Sequence, residues 1–293
     1  IMATMRDIKR RKESVSSTGQ ITKAMKLVAT VKLQKAKNRA ESSKPYFDQM
    51  YKTVSSILSM SKNITHPYMQ SNDSAKKAVI VITSNRGLAG GYNANVIKLL
   101  TKDERFSPDN TVIYAVGKKG AATFSRLGYE IKEDYSEAIN SPLFADAVDI
   151  GRTVLSAYEN GEFGEIYLAY TVFKNTVTHI PTLLKLLPMS VEEESASEDE
   201  KVSDIDKLTL MNYEPEAEEA LEMIVPKYIN SLVFGALVEA VASENGARMQ
   251  AMDSATNNAE DMIADLTLKY NRARQGAITQ ELTEIIAGSA AVE

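Results

Sequence analysis

The residues that could carry chemistry are few in this chain. It has no cysteine, which excludes disulfides, thiolate nucleophiles and cysteine metal sites. His66 and His179 are its only histidines, too few for a histidine-rich metal centre or acid–base site. We therefore expect no cysteine- or histidine-based catalytic or metal site, and no cofactor.

A glycine-rich segment at 84–93, SNRGLAGGYN, follows an apolar run and is the one place where a nucleotide phosphate could be expected. Its glycines, Gly87, Gly90 and Gly91, match neither the G-x-G-x-x-G fingerprint nor the G-x-x-x-x-G-K-[ST] phosphate loop. This spacing favours a tight strand-to-helix turn or a protein-contact loop. A nucleotide-binding α/β enzyme remains the alternative interpretation of the segment.

Strand-like and helix-like patterns alternate between residues 76 and 190, which predicts a Rossmann-like α/β domain with a largely parallel sheet. The last two strands are expected to form a hairpin. Strands are predicted at 76–83, 110–117, 129–135, 165–173 and 178–189, and helices at 93–106, 118–128 and 141–161, the last beginning at a Ser-Pro cap.

The end of the chain predicts one very long helix. No proline follows Pro226, and a helix over the remaining 67 residues would span about 100 Å, far more than a compact domain needs. Apolar residues recur along it in alternating steps of three and four, which is the heptad pattern of a coiled coil. The positions are Val238, Ala242, Asn245, Met249, Met252, Thr256, Ala259, Ile263, Leu266, Tyr270, Ala273 and Ala277.

A second long helix is predicted at the beginning of the chain, to about Lys62, with Pro45 offsetting it without ending it. It is the obvious partner for the C-terminal helix, and we expect Ile21, Met25 and Val28 to make the contact. The fold class is therefore α/β, with a long antiparallel coiled coil of the two terminal helices and an inserted Rossmann-like domain. A free-standing coiled-coil scaffold is a second alternative.

Four regions follow from these patterns. They are an N-terminal coiled-coil helix at 1–62, a central α/β domain at 76–190, an acidic connecting segment at 191–214 and a C-terminal coiled-coil helix at 215–293. Residues 1–44 carry a net charge of +9 and residues 192–222 a net charge of −11, so we expect charged partners at separate places. The basic stretch lacks aromatic residues for base stacking, which argues against nucleic acid.

No apolar run approaches the 18 residues that a membrane span requires, the longest being AVIVI at 78–82. We therefore expect no direct membrane span.

Four stretches, separated along the chain and in a fixed order, carry a family resemblance. They are Ile21-Thr22-Lys23-Ala24-Met25, then Ser84-Asn85-Arg86-Gly87-Leu88, then Ala247-Arg248-Met249 with Ala255-Thr256-Asn257-Asn258-Ala259, and finally Tyr270-Asn271 and Ala273-Arg274-Gln275 with the run from Ile278 to Ile285. Together they resemble the gamma subunit of F-type ATP synthases of the bacterial type, over essentially the whole chain.

The resemblance implies a non-catalytic rotor subunit that couples proton or sodium ion flow through a c-ring to ATP synthesis or hydrolysis on beta subunits, and that regulates ATPase activity. The implied partners are three alpha and three beta subunits, an epsilon subunit and the c-ring, at the cytoplasmic face of the cell membrane as a peripheral protein. By motif, the residues implied to contact beta and couple the motion are Lys23, Met25, Lys26, Arg248, Arg274, Gln275, Thr279 and Glu281. Tyr213 and Glu214 are implied to contact the ring from the α/β foot.

Overall fold

The computed structural model describes residues 4–60, 66–70, 72, 74–189 and 217–290. Five helices and five strands follow one another in it: α1 Met5–Met60, β1 Lys77–Ile82, α2 Tyr92–Thr101, β2 Thr111–Val116, α3 Lys118–Arg126, β3 Glu130–Asp134, α4 Phe144–Glu159, β4 Glu165–Phe173, β5 His179–Leu187 and α5 Ala217–Ala290. They form two compact units. We call residues 1–31 with 248–293 the helix-pair unit, and residues 32–247 the α/β unit.

The sheet of the α/β unit has the strand order β3-β2-β1-β4-β5. Its first four strands are parallel, and β5 returns antiparallel beside β4. Nearly all residues of β1 and β2 are apolar and buried, as expected for parallel strands covered on both faces. The predicted α/β class, the five strands and the hairpin are therefore confirmed.

Helices cover both faces of this sheet. On one face α2 and α3 supply Leu100 and Phe124 to a core with Val79 and Val81 of β1. On the other face α4 packs with the beginning of α5, which contributes the apolar series Leu221, Val225, Ile229, Val233 and Leu237. The N-terminal part of α5 is thus built into the core of the α/β unit. Because α5 is one continuous helix, it also supplies the second helix of the helix pair.

The helix α4 begins two residues later than predicted. Its first-turn carboxylate, on Asp146, accepts a hydrogen bond of 2.7 Å from the Leu143 amide. The Ser141-Pro142 dipeptide precedes this cap and is not part of it.

In the helix-pair unit, α1 and α5 run antiparallel. An added Cβ on Gly19 would lie 3.2 Å from the Ala259 Cβ, the Thr22 hydroxyl lies 2.8 Å from that of Thr256, and Lys26 reaches Asp253. Higher numbers on α1 thus meet lower numbers on α5. The predicted heptad positions of α5 from Met249 to Ala273 are all buried or half-buried and lie opposite α1, which confirms them as the seam, whereas Ala277 lies beyond the described part of α1.

The contact residues predicted for α1 need a correction. Ile21 and Val28 are each 58% exposed, and Met25 is half-buried. Within the helix-pair unit the buried positions of α1 are Thr22 and Ala29, one polar and one small. Gly19 lets the two helices approach closely, and a branched side chain does not fit at such a distance. The apolar stripe of α1 therefore faces away from the seam.

One window of α5 is apolar and long enough to cross a membrane by length and composition. Of that window 56% is buried within the protein, as in a core helix. We therefore assign α5 to packing within the chain.

Candidate partner-binding surfaces

The first group of predicted residues lies on one turn of α1. Lys23 is exposed, whereas Met25 and Lys26 are half-buried beside the seam. The Lys26 ammonium lies 2.5 Å from an Asp253 carboxylate oxygen, with the two side chains 39% and 47% exposed. Such an exposed pair contributes about 0–1 kcal/mol to stability, so Lys26 can exchange this partner at little cost.

Arg248 is the first residue of α5 that belongs to the helix-pair unit, and it is half-buried. It lies five residues before Asp253, more than one helical turn away. Tyr213 and Glu214, the predicted ring contacts, lie outside the described residues, as does the acidic segment at 191–214.

The other predicted residues lie where α5 runs past the start of α1. The register set by Thr22 and Thr256 brings the first residues of α1 opposite Ala273. Residues 274–290, which we call the unpaired end of α5, thus extend for about 25 Å beyond the described part of α1. Every residue from Ile278 to Gly288 is exposed.

The unpaired end carries an apolar stripe with polar edges. Ile278, Leu282 and Ile285 share one helix face, at 50%, 55% and 68% exposure. Helix geometry, at about 100° per residue, places Arg274, Gln275 and Glu281 along the borders of this stripe and Thr279 beyond it. An isolated helix of this length is marginal in water, so the stripe requires a protein surface around it.

The Thr279 hydroxyl donates its hydrogen bond to the Gln275 carbonyl, 2.9 Å away, one turn back along the helix. Its oxygen retains acceptor capacity toward a partner.

A second exposed apolar stripe lies on α1. Ile21, Val28 and Val31 are spaced along one face, with Leu27 at its side, and all four are more than half exposed. Sequence reasoning missed this surface because it assigned two of these residues, Ile21 and Val28, to the seam. The signal was present, since the small and polar positions of α1, including Gly19 and Thr22, form their own series in steps of three and four.

In the α/β unit, the glycine-rich segment forms a tight turn fixed by side chains. The Ser84 amide donates to Asn93 Oδ1 at 2.9 Å, and Asn85 Nδ2 donates to the Ser136 carbonyl at 2.7 Å. Leu88 adopts a positive φ of 62° and is 64% exposed. This geometry fits the predicted turn or protein-contact loop.

Nearby, at the carboxyl ends of β2 and β3, a cavity of about 330 Å³ is lined by Asp134, Glu137, Asp146 and Asp149, with Lys118 as the one cation among the described residues that line it. Four carboxylates against one ammonium repel a phosphate, which argues against nucleotide binding there. Among the described residues, no cluster of histidine, aspartate or glutamate side chains has the arrangement of a metal site.

Comparison with known proteins identifies what this arrangement belongs to. The family model described as "ATP synthase" matches residues 4–292. The ATP synthase gamma chain of Lachnoclostridium phytofermentans is 66% identical over 99% of this chain and all of its own length. The sodium ion specific ATP synthase gamma chain of Acetobacterium woodii is 43% identical over 98% of both chains.

Among solved structures, a chain of the Euglena gracilis mitochondrial ATP synthase, from a structure of its OSCP, F1 and c-ring, has a similar fold. The TM-score is 0.68 at 19% identity, covering 98% of this chain and 94% of that one.

The fold, a helix pair with exposed apolar stripes joined to an α/β unit, is thus of the class found in a chain of a multisubunit ATP synthase. Within that class, this chain belongs to the gamma-chain family of the ATP synthases. It is a subunit of a membrane-associated complex and is not itself catalytic, since the catalytic sites of an ATP synthase lie on its beta subunits.

Proposed function

We propose that this chain turns as a rotor inside its ATP synthase, with the helix pair held within three alpha and three beta subunits and the α/β unit seated on an epsilon subunit and the c-ring. Ion flow, of protons or sodium ions, drives the ring, and the turning shaft takes the beta sites through their states in sequence. The observation that carries the proposal is the unpaired end of α5, whose apolar stripe is exposed over about two turns.

The helix pair is suited to contacts that form and break. Its exposed stripes are apolar, so they slide against a protein surface without requiring a fixed partner for each atom. The charged groups beside the stripe of α5, Arg274 and Glu281, are exposed, and an exposed ion pair contributes only about 0–1 kcal/mol. If the shaft formed strong buried ion pairs with the subunits around it, these pairs would instead hold it at one angle.

We assign the coupling contacts to two levels of the helix pair. At one level, Lys23 and Lys26 carry positive charge on the turn of α1 that holds Met25, and Arg248 carries positive charge on α5, in keeping with an acidic loop of the beta subunit. At the other, Arg274, Gln275, Thr279 and Glu281 meet beta-subunit loops around the unpaired end of α5. Tyr213 and Glu214 are proposed to contact the ring.

The complex is proposed to lie at the cytoplasmic face of the cell membrane, with this chain held there through its partners. The acidic connecting segment at 191–214 is proposed to lie between the foot and the C-terminal helix. The domain boundaries given above belong to the same proposal.

The deciding experiment is the double substitution Arg274→Ala with Gln275→Ala, in the assembled complex in membrane vesicles. We expect the chain to fold and assemble, because both side chains are exposed. Ion-driven ATP synthesis should fall by about tenfold, the loss expected from one or two interface residues. Arg272→Ala is the matched control, an exposed arginine directed away from the apolar stripe.

Unchanged synthesis by the double variant would remove the assigned contacts. Recovery of the chain from native membranes as a lone homodimer would instead favour the scaffold alternative and end the rotor proposal. Heat released on titrating the full chain with millimolar nucleotide would favour the enzyme alternative.

A further inference from the structure

The tip of the β4–β5 hairpin contacts α5 at one turn of the helix, within the α/β unit. The Ser243 hydroxyl, buried, donates to the Thr171 carbonyl of β4 at 3.1 Å. One turn further along the same helix face lies Gly246, which is buried as well. The hairpin therefore touches α5 at two heights on a single face.

At Gly246 the contact is a fit of shapes. A Cβ added to this glycine would lie 2.7 Å from His179 Nε2 and 3.4 Å from Phe173 Cε2. The imidazole and the Phe173 ring pack edge to face, with centroids 5.9 Å apart. The space that a methyl group would occupy is thus filled by His179 from the hairpin.

The nature of this contact differs from that of the packing lower on α5. There, Val233, Leu237 and Ala240 bury apolar surface against the sheet, and such packing has little directional preference. The His179 ring occupies the space that a side chain at Gly246 would fill, beside the hydrogen bond of Ser243. Such a fit defines one position of the ring around the helix axis. A glycine inside a helix costs about 1 kcal/mol relative to alanine, so this position gives up helix stability for the fit.

We infer that His179 seated on Gly246 is a positioning contact, through which the β4–β5 hairpin fixes the rotational angle of α5 against the α/β unit. The inference rests on the proposed rotor function, in which torque that enters the α/β unit must pass to α5. α5 continues beyond Gly246 as one helix to Ala290, so the coupling residues that follow lie on the same backbone.

The test uses the whole complex with three variants, Gly246→Ala, His179→Ala and the two combined. Two rates are compared: ion-driven ATP synthesis in membrane vesicles, and ATP hydrolysis by the detached catalytic sector, which needs no torque from the α/β unit. We expect each single variant to lower the ratio of synthesis to hydrolysis by about fivefold or more, since overpacking or emptying a fitted contact shifts its equilibrium by that amount. In the His179→Ala background, the Gly246→Ala change should add little, because the clash is gone.

Gly288→Ala is the matched control, a helical glycine of α5 with no atom within 4 Å of an added Cβ, and it should leave the ratio unchanged. Effects of the two single variants that multiply in the double variant would overturn the inference. So would a parallel fall of both rates, which signals poorer folding or assembly. If the unaltered complex failed to couple ion flow to synthesis at all, the proposed function would fall first, and that result is distinct from a coupled complex indifferent to the variants.

Discussion

The hydroxyl groups of Thr22 and Thr256 hydrogen-bond to each other at 2.8 Å, buried in the seam between the two long helices. Each hydroxyl also lies against its own helix, Thr22 near the Gly19 carbonyl and Thr256 near that of Met252. Two polar groups in an otherwise small and apolar seam fix the register, because a slip by one turn would bury each without the other.

We expect Thr22→Val to destabilise the helix pair by about 1 kcal/mol, because it leaves the Thr256 hydroxyl with one partner fewer in a buried place. The combined Thr22→Val and Thr256→Val chain should recover most of that loss, since no buried polar group is then unmatched. Urea unfolding of the full chain, followed by helical circular dichroism, measures both. Costs that simply add in the double variant would show that the two hydroxyls do not act as a pair.

The pair of Lys26 and Asp253 offers a separate test of coupling. If Lys26 acts on a partner, Asp253→Asn should leave ion-driven synthesis unchanged or raised, whereas Lys26→Gln should lower it by about threefold or more. Neither change should alter the free energy of unfolding by more than about 0.5 kcal/mol, because the pair is exposed. Equal losses of synthesis in both variants would show that the internal ion pair is what matters, and the partner role of Lys26 would then be withdrawn.

Much of the fold could be predicted because each strand and helix has its own local pattern. The apolar run of β1 and the turn residues around it predict a buried strand, and spacing alone was enough to locate the heptad positions from Met249 to Ala273. Family resemblance supplied the role of the chain. The structure added the register of the helix pair, since no single helix carries that information.

The α1 face was wrongly predicted for a physical reason. Hydrophobic periodicity assumes that the most apolar stripe is buried within the chain, and in a subunit of a larger assembly that stripe can belong to the interface. Ile21 and Val28 are of this kind, while Gly19 and Thr22 make the close internal contact. The seat of His179 on Gly246 was equally hidden, because it joins residues 67 positions apart and neither shows a local signal.

Two glycines with positive φ separate backbone strain from steric clash. Gly117 has a φ of 115°, and a Cβ there would lie 2.1 Å from the Thr83 carbonyl oxygen, whereas Gly128 has a φ of 88° and open space around it. Gly128→Ala should cost about 1–2 kcal/mol from conformational strain alone. Gly117→Ala should cost about 2 kcal/mol more, or prevent folding of the α/β unit, because the backbone of β1 would have to move.

Thermal unfolding of the two purified chains, with soluble yield as a second measure, decides the comparison. Equal losses for Gly117→Ala and Gly128→Ala would mean that the approach of Gly117 to Thr83 contributes nothing beyond its dihedral angle.

Three charged side chains on neighbouring strands of the sheet form ion pairs, and they make the stability of the α/β unit depend on pH. Glu165 of β4 lies 3.2 Å from Lys77 of β1 and 2.9 Å from Lys185 of β5, and all three side chains are at most a quarter exposed. Burial by itself raises the pKa of the Glu165 carboxyl, but hydrogen bonds from Lys185 and Lys77 outweigh it, and the pKa lies below its ordinary value.

Because the folded pKa of Glu165 lies below the unfolded one, its stabilising contribution is present above the unfolded pKa of about 4.5 and is lost as the pH falls through the folded pKa. We expect Glu165→Gln to lower the free energy of unfolding by about 1–2 kcal/mol at neutral pH, since it leaves two ammonium groups facing a neutral amide. The difference from the unaltered chain should shrink as the pH is lowered toward about 4. Urea unfolding across this pH range measures the difference. Glu162→Gln is the control, because Glu162 and its ion-pair partner Lys132 are both exposed. A Glu165→Gln deficit that stayed constant with pH would mean that the loss comes from packing, and that the two lysines do not hold the carboxylate in its charged form.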